Sequence, residues 1–155
     1  MRLLVAVALA LSTLGATASA RSDPMTSLRF LVGDWTCAYH QGAAKVTYKA
    51  TFAYDLAGNW LRERDVWTGG GGDEALFTYQ PKRHAWIAVV VEQERNVALF
   101  KGTGSDFAHI VYNSVYPETT MSQHFERTSP TKYSVFFSQT TNGKTVKSTD
   151  VCTRV

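Results

Sequence analysis

Two arginines alternate with two acidic residues within one short segment, Trp60 to Trp67. Successive side chains of a β-strand point to opposite faces, so Arg62 and Arg64 share one face while Glu63 and Asp65 share the other. Inward arginines would bind an anionic head group through paired hydrogen bonds, and inward acids would suit a cation or acid–base chemistry. Apolar neighbours accompany both pairs, so both orientations stay open. An internal salt-bridge network without a ligand, or solvent-exposed ion pairs near the rim of the barrel, are the alternatives.

The arginines form part of a predicted ligand site that draws on several other segments. Asp150 shares a face with Cys152, where inward arginines would meet it, and His109 shares a face with Phe107 and Val111. Alternation also places aromatic side chains on the inner faces of two further strands. The candidate ligand-binding residues are therefore Tyr48, Arg62, Arg64, Phe77, Tyr79, His109 and Asp150.

Other functional signatures are missing from the sequence. The four histidines lack the spacing of a metal site, and no Gly-x-Ser-x-Gly motif is present. The glycine run at Gly69 to Gly72 is not followed by the Lys-Ser/Thr of a phosphate-binding loop, which indicates a hairpin loop. The net charge is only +3, without a cluster of basic and aromatic residues. We expect no metal, no cofactor and no nucleic-acid partner.

A two-residue hydrophobic period runs through almost the whole chain and predicts an all-β fold. Short turn segments such as Asn142-Gly143 separate about ten strand-like runs, one of them from Phe107 to Tyr116. Connections this short join antiparallel neighbours. A sheet of that many strands avoids exposed edges by closing. The sequence predicts an antiparallel up-and-down β-barrel of about 8–10 strands, preceded by a short helix that begins at Pro24.

The first twenty residues have the pattern of a signal peptide. Arg2 precedes an apolar run from Leu3 to Leu14, and Ala18-Ser19-Ala20 fits a cleavage site. The apolar run is shorter than the roughly 20 residues of a membrane-spanning helix. We therefore expect residues 1–20 to be a signal peptide and residues 21–155 to be a single barrel domain that is exported, either periplasmic or secreted.

The only two cysteines, Cys37 and Cys152, lie near the two ends of the strand-rich region. Two cysteines in an exported chain favour one disulfide bond. Alternation turns both side chains inward, so a bridge would join the first strand to the last. The expected Cα–Cα distance is about 4.4–6.8 Å.

The segment Phe30-Leu31-Val32-Gly33-Asp34-Trp35 opens the strand-rich region. This Gly-x-Trp opening resembles the start of calycin-like barrels, which include lipocalins, fatty-acid-binding proteins and nitrobindin-like domains. The mature chain is most similar to small exported bacterial proteins of a domain family of unknown function. The resemblance implies that Trp35 closes one end of the barrel. Nitrobindin-like domains carry a heme-ligating histidine on their last strands, but the run from Lys132 to Val155 has none, so we expect no heme.

One strand breaks the alternation. In the segment Ala85 to Gln93, Ile87 and Val89 lie on one face while Trp86 and Ala88 lie on the other. Because both faces are apolar, we expect the outer face to be covered. The N-terminal helix is the favoured cover, and a second subunit in a homodimer is the alternative.

Three functions are compatible with this sequence. The first is a ligand-binding barrel that holds a small hydrophobic or amphipathic molecule, anionic if the arginines face inward. The second is a cofactor-free enzyme of the cyclase or isomerase type, which needs a buried Asp150 or His109 with a perturbed pKa. The third is a structural or interaction protein with a filled barrel, favoured by a cavity below about 300 Å³.

Overall fold

A computed structural model describes residues 23–104, 106, 109–117 and 120–155, so the predicted signal peptide lies outside the described residues. Ten antiparallel strands form a closed barrel in which each strand pairs with the next along the chain, and the last strand pairs with the first. The strands are β1 (Gly33–Gln41), β2 (Ala44–Asp55), β3 (Trp60–Trp67), β4 (Gly72–Gln80), β5 (Ala85–Glu92), β6 (Val97–Thr103), β7 (Val111–Tyr116), β8 (Thr120–Ser129), β9 (Lys132–Thr141) and β10 (Lys144–Arg154). The predicted calycin-like, up-and-down barrel is confirmed.

A disulfide bond closes the barrel between its first and last strands. Cys37 on β1 lies directly opposite Cys152 on β10, and both side chains are fully buried. The two residues are bonded, as predicted, with a Cα–Cα distance of 4.1 Å. This distance is slightly below the expected range of about 4.4–6.8 Å.

A 3₁₀ helix at Pro24–Leu31 covers one end of the barrel. The Asp23 carboxylate accepts a hydrogen bond from the Met25 backbone N–H at 3.0 Å and caps the helix. Met25 is buried, and its carbonyl oxygen accepts a hydrogen bond from the Tyr54 hydroxyl at 2.8 Å. The helix was expected to cover the outer face of β5, and that expectation is wrong. Its buried side chains point into the barrel end instead, where they extend the core.

The Gly33-x-Trp35 opening has a clear structural basis. Gly33 has φ +117°, and a Cβ there would lie 3.0 Å from Arg154 Nη1, so a side chain would be strained and crowded. Trp35 is fully buried, donates from Nε1 to the Leu31 carbonyl at 2.6 Å, and packs its ring 4.8 Å from that of Tyr133. Trp35 therefore joins the helix to the barrel core and closes this end, as the resemblance implied.

Arg154 secures the same end from the other terminus. Its guanidinium lies 4.4 Å from the centre of the Trp35 ring, a cation–π contact. It also donates hydrogen bonds to the carbonyl oxygens of Val32, at 2.8 Å, and Phe30. The end of β10 is thus tied to the helix. Within the described residues, no helix is long and apolar enough to cross a membrane.

Candidate ligand-binding site

The barrel contains a cavity of about 250 Å³ toward the end away from the helix. Inward-facing side chains of nine strands line it, and only β7 contributes none of the described lining residues. The volume falls slightly below the roughly 300–1,000 Å³ typical of pockets for drug-sized ligands. The cavity therefore has room for a small molecule only.

Strand pairing decides which charged pair of β3 faces this cavity. Glu63 lies opposite Phe52 and Asp65 lies opposite Ala50, and both β2 partners are buried in the core. Directly paired residues share a face of the sheet. Glu63 and Asp65 therefore point inward, and the orientation that the sequence left open is resolved in favour of the acids.

The placement of Arg62 and Arg64 in the ligand site is therefore corrected. Their side chains are 46% and 70% exposed on the outer face of the barrel. Arg62 forms a salt bridge with Asp55 and lies 3.8 Å from a carboxylate oxygen of Glu74. Arg64 lies 3.7 Å from the other oxygen of Glu74. Both arginines belong to a surface ion-pair network and cannot reach an anion inside the barrel.

Two further acids complete the inner group. Asp73 on β4 lies directly opposite Asp65, and its carboxylate accepts a hydrogen bond from Trp67 Nε1 at 3.3 Å. Asp150 on β10 also lines the cavity. Asp65 is only 8% exposed, and one oxygen each of Asp65 and Asp150, Oδ1, is buried without a hydrogen-bond partner among the described residues. We call Glu63, Asp65, Asp73 and Asp150 the inner acids.

Burial shifts the protonation of all four. Removal from water, followed by the charges of Asp73 and Asp150, raises the pKa of Asp65 to about 8. Burial likewise raises the pKa of Asp150 to about 6, although a hydrogen bond from Tyr48 opposes the rise. For the same leading reason, the pKa of Glu63 lies well above its ordinary value and that of Asp73 is raised. The inner acids are therefore held in surroundings that disfavour their negative charge.

Aromatic rings lie beside the inner acids, toward the end of the barrel away from the helix. The Trp67 ring packs 4.5 Å from that of Tyr48 at an interplanar angle of 36°, and 5.9 Å from that of Tyr39 at 80°. Burial and the charges of nearby acids raise the pKa of Tyr48 far above its ordinary value, so its hydroxyl stays protonated. Tyr48 can therefore donate a hydrogen bond at any physiological pH.

Most of the remaining wall of the cavity is apolar. Phe77 and Phe125 meet edge to face at 6.0 Å between ring centres. The same surface includes four further apolar side chains, those of Val90, Phe100, Met121 and Phe137. The cavity thus has acidic groups on β3, β4, β5 and β10, and apolar side chains of β4, β5, β6, β8 and β9 form most of the rest of its wall. Such a surface complements a molecule with one charged end and one apolar end.

The other sequence-predicted site residues divide between the cavity and the rest of the barrel. Tyr48, Phe77 and Asp150 line the cavity. Tyr79 does not, because it packs 5.2 Å from Trp86 nearer the helix-covered end. His109 is corrected too. Strand β7 begins only at Val111, and the His109 side chain is 71% exposed, with Nδ1 2.7 Å from Asp106.

Sequence reasoning did not include Asp73, Trp67 and Tyr39 in the site, although a usable signal existed. Alternation turns Ala75 and Phe77 inward, and the same parity places Asp73 inward as well. Among residues 23–104, 106, 109–117 and 120–155, no group of three or more His, Cys, Asp or Glu side chains is placed to bind a metal ion.

Comparison with known proteins supports the fold alone. Neither a family model nor a curated protein matches the chain. Among solved structures, the S-type phycobiliprotein lyase CPES from Guillardia theta is similar at a TM-score of 0.57 and 13% identity, covering 87% of this chain and 94% of the lyase. The structure of EF1p2_mFAP2b bound to DFHBI gives a TM-score of 0.48 and 9% identity, covering 85% of this chain and 99% of that one.

Proposed function

We propose that this protein is an exported binding protein that holds a small, partly apolar organic cation inside its barrel. One observation carries the proposal: five acids, the four inner acids and Glu92, line a single cavity, while none of the described lining residues is Lys, Arg or His. The anionic ligand considered from the sequence required inward arginines. Because Arg62 and Arg64 lie outside, the proposed ligand carries the opposite charge.

The energetic argument rests on charge compensation. A carboxylate removed from water is strongly disfavoured unless it is paired, so it either takes up a proton or binds a cation. A bound organic cation would replace the proton on Asp65 and supply the missing partner for its buried Oδ1. Buried polar atoms of native proteins are nearly always hydrogen-bonded, so an unpartnered carboxylate oxygen favours a binding site.

The main alternative is a structural or interaction protein with a filled barrel. The cavity volume of about 250 Å³ favours this alternative, since it is below the roughly 300 Å³ expected of a ligand pocket. The chemistry of the lining favours binding instead. A filled core would be lined by packed apolar side chains, whereas this cavity brings Asp65 and Asp73 face to face. At about 30 Å³ per water molecule, the volume corresponds to roughly eight waters, which suits a small amine and excludes a long lipid.

Export is part of the proposal and has two supports. The first is the signal-peptide pattern of residues 1–20. The Cys37–Cys152 disulfide is independent of that pattern and is typical of oxidising compartments.

A set of ligands that differ only in charge tests the proposal. Phenethylamine, phenethyl alcohol and phenylacetate share an aryl body and are cationic, neutral and anionic at pH 7.5. Calorimetric titration should give the tightest binding for the amine, by about tenfold or more over the alcohol, and no measurable binding for phenylacetate. Equal binding of the amine and the alcohol, or preferential binding of phenylacetate, would overturn the cation proposal.

Acid–base catalysis is a second candidate, favoured by one observation. Asp150 lines the cavity and has a pKa raised to about 6, close to neutrality, as a general acid or base requires. His109, the other residue considered for this role, is exposed and cannot fill it. Nuclear magnetic resonance titration of the Asp150 carboxyl carbon tests the candidate, and a midpoint below about 4 would remove its basis.

A further inference from the structure

We propose that the ligand's charged end is a primary ammonium group attached to a short aryl or alkyl body. The inference rests on the proposed function and narrows it, since an organic cation can also be a quaternary ammonium without any N–H group. The observation that separates the two classes is the pair of buried, unpartnered carboxylate oxygens, Asp65 Oδ1 and Asp150 Oδ1.

These oxygens require hydrogen-bond donors as well as positive charge. A quaternary ammonium would compensate the charge of Asp65 but would leave its Oδ1 without a donor. A primary ammonium brings three N–H donors on a compact centre, as a lysine side chain does. Asp65 is only 8% exposed, so an oxygen left without a donor there carries the cost of an unsatisfied buried polar group.

The two rings beside the inner acids, Tyr48 and Trp67, pack on each other and do not stand apart as the walls of an open cage for a quaternary ammonium group. Such cages present free ring faces to the cation. Here the Tyr48 ring packs 4.5 Å from the Trp67 ring and occupies one of its faces. The Trp67 edge is engaged as well, because Nε1 donates to Asp73. The rings therefore support one another and the carboxylates.

The apolar wall accommodates the rest of the ligand. Phe77, Phe100 and Phe125 line the cavity, and the small side chains of Ala75 and Ala98 leave space between the larger ones. Edge-to-face packing, as between Phe77 and Phe125, extends readily to an added aromatic ring. A small arylalkylamine would place its nitrogen against the inner acids and its ring against this wall.

The test compares the binding of four amines that share the phenethyl skeleton and differ only in the number of methyl groups on nitrogen. Phenethylamine and its N-methyl, N,N-dimethyl and N,N,N-trimethyl derivatives are all cationic at pH 7.5 but carry three, two, one and no N–H donors. Calorimetric titration of the full-length mature protein should give an affinity that falls along the series. We expect a loss of about tenfold or more between the first and last members.

Two variants test whether Asp65 causes this loss of affinity. Asp65→Asn should flatten the series, because the amide no longer offers a charged acceptor. Glu74→Gln, a carboxyl on the outer face of the next strand, should leave the series unchanged. Should Asp65→Asn fail to fold, the amine ¹⁵N chemical shift of labelled phenethylamine bound to the wild-type protein reports the same hydrogen bonds. Its invariance on binding would count against them.

The outcomes separate this inference from the proposed function. Quaternary binding that equals or exceeds primary binding overturns the primary-ammonium inference and leaves cation binding intact. Absence of binding by every member of the series overturns both. A steady decline along the series in the wild-type protein, lost in Asp65→Asn and retained in Glu74→Gln, supports both.

Discussion

Asp65 and Asp73 face each other directly across β3 and β4, with both carboxyl groups inside the barrel. Like charges in this position destabilise a sheet, and the burial of Asp65 increases the cost. The Asp73 charge is among the causes that raise the pKa of Asp65 to about 8. The ligand-free barrel therefore binds protons more tightly than its unfolded chain does, and its stability depends on pH in a defined direction.

We predict that the ligand-free protein loses stability as the pH rises from about 4 to about 8. Below the unfolded pKa of roughly 3.9, Asp65 is protonated in both states, so its contribution is fully present. As the pH rises toward the folded pKa of about 8, the unfolded chain releases the proton first and unfolding becomes easier. Asp150 acts in the same direction up to about pH 6. Guanidinium unfolding at a series of pH values measures the effect.

Asp65→Asn isolates this contribution from other titrating groups. The variant should gain stability relative to the wild-type protein by up to about 1.4 kcal/mol per pH unit within the window. Glu74→Gln, on the outer face, should follow the wild-type profile. A constant difference between Asp65→Asn and the wild-type protein from pH 5 to pH 8 would show that Asp65 titrates normally.

We also predict that binding of phenethylamine strengthens with rising pH. The amine stays cationic throughout this range, whereas Asp65 must release its proton before it can pair with the amine. Affinity should therefore increase by about tenfold or more between pH 5.5 and pH 7.5. Titrations in buffers with different ionisation enthalpies should reveal proton release on binding. Release of no protons would contradict this linkage.

Loss of the Cys37–Cys152 disulfide should destabilise the barrel substantially. The bridge spans 115 positions of the chain, and in the chain-entropy model a loop of about 100 residues contributes roughly 4.7 kcal/mol. We expect the Cys37→Ala/Cys152→Ala double variant to lose about 2–5 kcal/mol in guanidinium unfolding. A double variant as stable as the oxidised protein would show that strand pairing alone closes the barrel.

Trp35→Phe should weaken the helix-covered end. The substitution leaves the Leu31 carbonyl without its donor and reduces packing against Tyr133. We expect a loss of about 2–4 kcal/mol in the free energy of unfolding. Trp60→Phe provides the matched control, since Trp60 is only partly buried and a change there should cost less than about 1 kcal/mol. Equal losses in the two variants would argue against a special role for Trp35.

Much of the fold was predictable because its signals are local. Two-residue alternation and turn residues such as Asn142-Gly143 specify strands and their order, and the closure followed from the inward parity of Cys37 and Cys152. The helix was placed at the right residues but against the wrong surface. Its docking depends on long-range contacts, such as the Tyr54 hydrogen bond to the Met25 carbonyl, that no short segment encodes.

The site was less predictable because it depends on register and on where strands begin. Alternation alone cannot say whether Arg62 or Glu63 faces inward, and only pairing with the buried Phe52 decides it. His109 was placed on a strand that begins two residues later, at Val111. Raised carboxyl pKa values depend on burial and on neighbours from distant strands, as the effect of Asp150 on Asp65 illustrates.

The most direct test of the central claim is a nuclear magnetic resonance titration of the Asp65 carboxyl carbon, with and without saturating phenethylamine. The inner acids can pair with a cation only after they release their protons. In the ligand-free protein the carboxyl should titrate near its raised pKa of about 8, and the bound amine should lower the midpoint by about two units or more. A midpoint near 4 in the free protein, or one that phenethylamine leaves unchanged, would contradict the account.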